Sequence, residues 1–400
     1  MIDHCRKLAL MSEEPGRTTR TFLSPPMHDV HRYLRAWMES LGMQVTVDAV
    51  GNLRGVKNCG CPEAPKLVIG SHLDTVPDAG AFDGILGVVI GIGLIERLQG
   101  TKLGIDIEVI GFSEEEGVRF GTPFIGSRAV TGQLDDAILA KAAPAIRNFG
   151  LDLAKVPEAA FKSGVIGYLE FHIEQGPVLD SLDLPLGVVE GIAGQSRFTL
   201  LFSGNANHAG TTPMQLRHDS LTAAAEWIMN VEATALKTDG LVATVGRIYA
   251  SPGAVNVIAG EVEVSLDVRH SSDAARMAAV DSLCSASYEI GMGRGINVSW
   301  MENLSQNAVL MDEMFTSRLE HALKSAGYTP TRMTSGAGHD AMIIAPSIPS
   351  AMLFLRSPGG ISHHPDENVL KADVEAAMRT GIEFITSLSE TYGGDPLCND

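Results

Sequence analysis

The chain has 400 residues, 45% of them hydrophobic and 20% charged, which excludes a disordered polymer and supplies a core that needs no disulfide staples. At roughly 150 residues per domain, this length suggests two or three domains. A formal net charge of −18 excludes the basic face that a nucleic-acid backbone requires, while leaving room for a local basic pocket that takes a small anion.

In chain order, the opening MIDHCRKLALMSEEPG lacks the apolar region expected of a signal peptide. The first helix spans 28–41, where Val30, Tyr33, Leu34, Trp37, Met38 and Leu41 recur at helical spacing and Gly42 stops it. Short β-rich runs follow at 44–47, 53–56 and 66–70. Cys59-x-Cys61 lies in a loop between the last two, with no second cysteine pair to complete a structural zinc site. The five cysteines at 5, 59, 61, 284 and 398 form no disulfide framework and read as free thiols of a cytoplasmic protein. After the polar loop SHLDTVPDAGAFDG comes an apolar helix at 85–98. Its apolar stretch is broken by glycines and ends at Glu96-Arg97, short of the roughly 18 residues of a membrane span. Strands are expected at 105–112, ending in SEEEG, at 167–173, ending in EQGP, and at 351–356, ending in SPGGISHHPDE. Strands alternating with helices point to an α/β sheet with both faces covered.

The middle reads differently. Strands at 197–204, 241–249, 261–269 and 296–300 alternate with helices at 219–236 and 274–290, the β-α-β-β-α-β order of a ferredoxin-like unit. The expected organisation is therefore an α/β domain built from 1–194 and 306–400, with a ferredoxin-like domain at 195–305 inserted between them.

Ionisable residues gather where the α/β strands end, and open α/β sheets bind ligands beyond the carboxyl ends of their strands. These ends offer His72 and Asp74, then Asp83, Glu114-Glu115-Glu116, His172 and Glu174, and finally His363, His364 and Asp366. Mixed imidazole and carboxylate donors suit zinc, manganese, nickel or cobalt rather than calcium. Asp74, two residues after His72, can orient that imidazole or its surroundings. Asp83 precedes a helix and reads either as a ligand or as an N-terminal cap. Three adjacent glutamates repel one another unless they share a cation or proton, so one can bind metal while a neighbour acts as general base; the alternative is a solvated acidic turn. His172 taken alone reads equally as a core histidine, and Arg269 as an edge-strand charge. The five ligand-type residues at separate strand ends together favour a metal site.

GSHLDTVPDAGAFDG, SEEEGVRF, FHIEQGP, NHAGTTPM, SGAGHDA and GGISHHPDE together resemble the metal-dependent amidohydrolases that cleave ureido and carbamoyl groups. These are the hydantoinase/carbamoylase-type amidases within the aminoacylase and carboxypeptidase-like metallopeptidases. The resemblance extends from 20 to 370. RTFLSP at 20–25, the following RAWMESLGMQVTVDAVGNLRG, and GQSR at 194–197 are most similar to the allantoate-cleaving branch. The branches acting on N-carbamoyl-L-amino acids and β-ureidopropionate share most other motifs.

The resemblance implies a two-domain hydrolase with two divalent metal ions per subunit, zinc or manganese first, with cobalt or nickel as further candidates. It implies His72, Asp83, Glu116, His172 and His363 as ligands, Asp83 bridging, and Glu115 as general base. His172 marks the ureido-cleaving enzymes, since peptidase relatives usually carry a carboxylate there. Of the pair His363-His364, the motif register selects His363. His208 is implied as an oxyanion-stabilising residue reaching the partner subunit of a homodimer through the inserted lid and dimerisation domain. Gln195, Asn256 and Arg269 are implied as substrate contacts, Arg269 gripping a carboxylate. The implied substrate is a small ureido compound with a carboxylate, with no nucleic-acid or membrane partner. Hydrolysis of allantoate to ureidoglycine, ammonia and carbon dioxide is the first reading, and hydrolysis of an N-carbamoyl-L-amino acid or β-ureidopropionate the alternative. An inactive metal-binding scaffold is the reading from another class. Glu115 beside Glu116 speaks against it, because a dead scaffold needs no free base.

Overall fold

The β-branched runs pair into one mixed sheet in a computed structural model whose described residues are 1–392. Across the sheet the strands run Gln44–Val47, Leu53–Lys57, Asp106–Phe112, Lys66–His72, Val165–Ile173, Ser350–Leu355 and Leu186–Ile192, and Arg332–Ser335 pairs with the last. The four from Asp106–Phe112 to Ser350–Leu355 are parallel, and their neighbours on both sides are antiparallel. From Lys66–His72 the chain steps to one side for Asp106–Phe112 and to the other for Val165–Ile173. The winding therefore reverses between Lys66–His72 and Val165–Ile173, the place where such sheets open a crevice at their carboxyl ends.

Helix Ile85–Arg97 is apolar on all sides, and its residues 85–95 are all buried. Val89 and Ile92 from this helix join Ile69, Val109, Leu169, Phe171 and Leu353 from the strands and Phe384 and Leu388 from helix Lys371–Tyr392 in one core. No described helix is long and apolar enough to cross a membrane.

The chain divides into two compact units, one formed by Met1–Glu190 with the chain from Leu310 onward, the other by Gly191–Val309. The second unit has its own antiparallel sheet in the order Ile248–Ser251, Glu261–His270, Gly194–Ser203, Asn297–Gln306. Helices Ser220–Lys237 and Asp273–Arg294 close its core, where buried Trp227 packs with Phe202 and Leu283 and donates its Nε1 hydrogen to the Leu283 carbonyl at 2.9 Å. The strand expected at 241–249 is instead two, Val242–Thr244 and Ile248–Ser251. Thr244 faces Asp267 while Ile248 faces Val264, so one extra residue is accommodated within 245–247.

Cys5, Cys59 and Cys284 are free thiols. Cys61 is disulfide-bonded, which corrects the expectation of a free thiol there. Cys398 lies outside the described residues.

His31, on helix Met27–Ser40, is buried edge-on against Phe149, and its Nε2 has no hydrogen-bond partner. Burial, with His28 and Arg35 nearby, lowers its imidazole to about 4. A folded-state value below the unfolded one makes this histidine's contribution to stability full above about 6.5 and progressively lost as pH falls toward 4. Between about pH 7.5 and 5.0 the loss is about 2 kcal/mol. His31→Phe is expected to narrow the wild-type drop in thermal midpoint over that interval, measured by circular dichroism; an equal drop in both proteins contradicts the assignment.

Candidate metal centre

His72 is the last residue of its strand. Its Nδ1 lies 2.9 Å from the Asp74 carbonyl oxygen and 3.5 Å from Asp74 Oδ1. A carbonyl only accepts, so Nδ1 carries a proton and Nε2 is the nitrogen left to meet an ion. His172 repeats the device, its Nδ1 on the Ile173 carbonyl at 2.8 Å. The two Nε2 atoms lie 3.4 Å apart. Asp74 therefore acts on His72 chiefly through its backbone. Its carboxylate instead accepts the N–H groups of Glu115 at 3.0 Å and Glu116 at 3.1 Å, tying two strand-end loops together.

Asp83 is buried between imidazoles, with Oδ1 3.3 Å from His172 Nε2 and Oδ2 3.1 Å from His363 Nε2. It does not cap the following helix, whose first turn has no side-chain cap. Gly84 has φ +66°, and a Cβ there would fall on the His72 ring. His363 Nε2 lies 3.7 Å from Glu116 Oε1, whereas His364 is exposed and turns to Asp366 at 3.6 Å. The three glutamates diverge. Glu114 turns away and accepts the Gly117 N–H at 2.6 Å, leaving Glu115 and Glu116 facing the histidines. Glu174 stays out of the cluster, accepting the Val178 and Leu179 N–H groups at 2.7 and 2.8 Å.

Three overlapping donor groups result: His72, Asp83 and His172; His72, Glu115 and Glu116; Asp83, Glu116 and His363, each with donor atoms within 4.8 Å of one another. Burial, reinforced by Glu116, Asp340 and Asp74, raises Glu115 well above the usual carboxylate range despite His72. Burial likewise pushes Glu116 up to about 7 and Glu114 up to about 9. Burial lowers His172 to about 4, so it is a neutral donor. Burial also pulls on His72, but Asp74, Glu115 and Asp83 outweigh it and raise that imidazole. Crowded, dehydrated carboxylates that hold protons for want of a positive charge, mixed with imidazole nitrogens, fit a divalent transition-metal ion.

Two neighbours escaped the sequence reading. Gln175, at φ +59°, points its Nε2 at Asp83 Oδ1 and Oδ2 at 3.0 and 3.2 Å and at His363 Nε2 at 3.3 Å. His339, fully buried, packs its ring edge-on to His172 with centroids 4.4 Å apart. Both lie inside quoted motifs, EQGP and SGAGHDA, which were the available signal.

Gln195, His208, Asn256 and Arg269 belong to the second unit and come together in pairs. Gln195 lies directly opposite Arg269 on adjacent strands and donates to Gln306 Oε1 at 3.0 Å. Arg269 binds Asp267 through two nitrogens at 2.8 and 3.0 Å. Exposed His208 sits opposite Val257, and the neighbouring Ala209 N–H reaches the Asn256 carbonyl at 2.9 Å.

A family model described as peptidase family M20/M25/M40 matches residues 68–391. Among curated relatives, allantoate deiminase 2 of Glycine max is 39% identical, covering 96% of this chain and 88% of that protein. The N-carbamoyl-L-amino acid amidohydrolase of Geobacillus stearothermophilus is 38% identical, covering 92% of each. Among solved structures, a hydantoinase/carbamoylase-family amidase from Burkholderia multivorans superposes with a TM-score of 0.89 at 28% identity, covering 97% of both chains. The family match, the identities over nearly full length and the histidine–carboxylate crevice agree: the chain belongs to peptidase family M20/M25/M40, whose members are metal-dependent hydrolases.

Proposed function

We propose that this chain hydrolyses a ureido C–N bond of allantoate, consuming one water and yielding ureidoglycine, ammonia and carbon dioxide. The observation that carries the reading is the convergence of His72, Asp83, Glu115, Glu116, His172 and His363 in one crevice, buried at its base and open at His363. We read His72, Asp83, Glu116, His172 and His363 as ligands of two divalent ions, zinc or manganese, with Asp83 presenting one oxygen toward each half of the site. Ions bound there supply Lewis acidity toward a ureido carbonyl and lower the pKa of a water.

The chain's own groups do the rest. Glu115, whose buried carboxylate has a raised proton affinity, takes the proton of the attacking water and returns it to the leaving nitrogen. Arg269 is the carboxylate anchor, since its paired nitrogens already grip Asp267 in the two-pronged way a substrate carboxylate requires. Gln195, its cross-strand neighbour, and Asn256 contact the ureido arms. His208 stabilises the negative charge developing on the carbonyl oxygen, acting on the partner subunit of a homodimer. A cytoplasmic location belongs to this reading, supported by the free thiols at 5, 59 and 284, with the bonded Cys61 as the contrary sign.

N-carbamoyl-L-amino acid hydrolysis is the second reading, favoured by the 38% identity to the Geobacillus stearothermophilus enzyme, nearly equal to that of the plant deiminase. The substrates share a ureido group and a carboxylate and differ in the second ureido arm. Purified protein given allantoate and a series of N-carbamoyl-L-amino acids is expected to release ammonia fastest from allantoate. Turnover of carbamoyl amino acids alone transfers the assignment to the second reading.

Glu115→Gln is expected to lower kcat by about a hundredfold or more while metal content, measured by plasma mass spectrometry, stays at the wild-type level. Wild-type turnover in this variant contradicts the base assignment. Chelation is expected to abolish ammonia release and lower the thermal midpoint, with both restored by manganese or zinc. A stripped protein that keeps full activity contradicts the metal reading.

A further inference from the structure

Loop 362–367 carries His363, and segment 80–84 carries Asp83; they are about 280 residues apart in sequence. Buried Glu367 joins them. Its Oε1 accepts the N–H of Phe82 at 2.9 Å and that of Asp83 at 3.0 Å, and its Oε2 accepts the Ser362 hydroxyl at 3.2 Å. The Glu367 N–H is itself bonded to the His364 carbonyl at 3.0 Å, so the turn holding His363 is closed upon the same residue. His363 adopts φ +55°, a conformation that side-chain-bearing residues keep only when their surroundings enforce it. Gly80 supplies a second, independent sign: a Cβ there would land on the Glu367 side chain, so the glycine leaves the space that this carboxylate occupies.

We propose that Glu367 is a positioning residue that assembles one half of the metal site, the half formed by Asp83, Glu116 and His363, by fixing the His363 loop against the Asp83 backbone. It donates nothing to an ion and touches no substrate. The inference rests on the metal reading above. The half formed by His72, Asp83 and His172 draws its two imidazoles from strand ends that Glu367 does not touch, so it depends on this residue less. Glu367→Gln keeps an oxygen for the two backbone N–H groups and an amide for Ser362, so it preserves the join; Glu367→Ala removes it.

The test is calorimetric titration of metal-stripped full-length protein with Mn(II), for wild type, E367A, E367Q and G80A, with the unfolding midpoint of each stripped protein recorded alongside. Two binding steps are expected in wild type. E367A is expected to weaken one of them by at least about tenfold, the scale seen when a residue supporting a ligand is lost, and the other far less. E367Q is expected to stay close to wild type. G80A, which displaces Glu367 without altering it, is expected to reproduce E367A and carries the test if E367A does not fold. Wild type binding two ions while E367A and G80A match it in both steps overturns this inference alone. A stripped wild type that binds no Mn(II) overturns the metal reading and this inference with it.

Discussion

Acidic groups cannot crowd into a dry crevice without a compensating positive charge, and that electrostatic constraint organises this molecule. Asp74, Asp83, Glu114 and Glu115 are all buried at the carboxyl ends of the parallel strands, and Glu116 stands beside them. Burial drives the glutamates to hold protons, while the histidines keep Asp83 ionised. The arrangement is costly in the protein alone and favourable around a cation, because a divalent ion removes the repulsion and takes the place of the protons.

The fold meets this constraint through backbone geometry more than through the donors themselves. A reversal of winding sets the ends of Lys66–His72 and Val165–Ile173 side by side, which brings two Nε2 atoms within 3.4 Å. Backbone carbonyls fix both imidazoles in the tautomer that frees Nε2. Asp74 holds the Glu115–Glu116 backbone, Gln175 touches Asp83 and His363 together, and Glu367 spans the two segments that carry them. Each join links loops from different strands, so the site is a product of tertiary structure assembled from separate stretches of chain.

That division explains what could be read from the residues in order. The parallel strands and the buried helix were visible because β-branched runs and an apolar helix carry their own periodicity. The candidate ligands were visible because His72 and His172 stand at the ends of such runs and Asp83, Glu116 and His363 follow in the loops beyond them. Strand Leu186–Ile192 takes its place from its neighbours in the sheet, whereas helices Asp136–Asn148 and Glu313–Ser325 carry local signals that the sequence reading missed: Asp135 and Asp312 cap them, and Phe315, Leu319, Ala322 and Leu323 recur at helical spacing. Glu367 looked like one more acid in the polar turn HHPDEN, and only its contact with residues 82 and 83 reveals its work. For Asp74 the sequence left two alternatives, orienting His72 or its surroundings; its carbonyl meets the ring, and its carboxylate, 3.5 Å from Nδ1, accepts two backbone N–H groups of the neighbouring loop. Between Thr244 and Ile248 the run of strand-forming residues continues through an extra residue that side-chain pattern does not register.

Anomalous diffraction at the manganese edge, from crystals of Mn(II)-loaded protein, addresses the central claim most directly. The account predicts two peaks about 3.5–4 Å apart, one among His72, Asp83 and His172 and the other among Asp83, Glu116 and His363. Peaks remote from Asp83, or none in a crevice otherwise arranged as described, would contradict it.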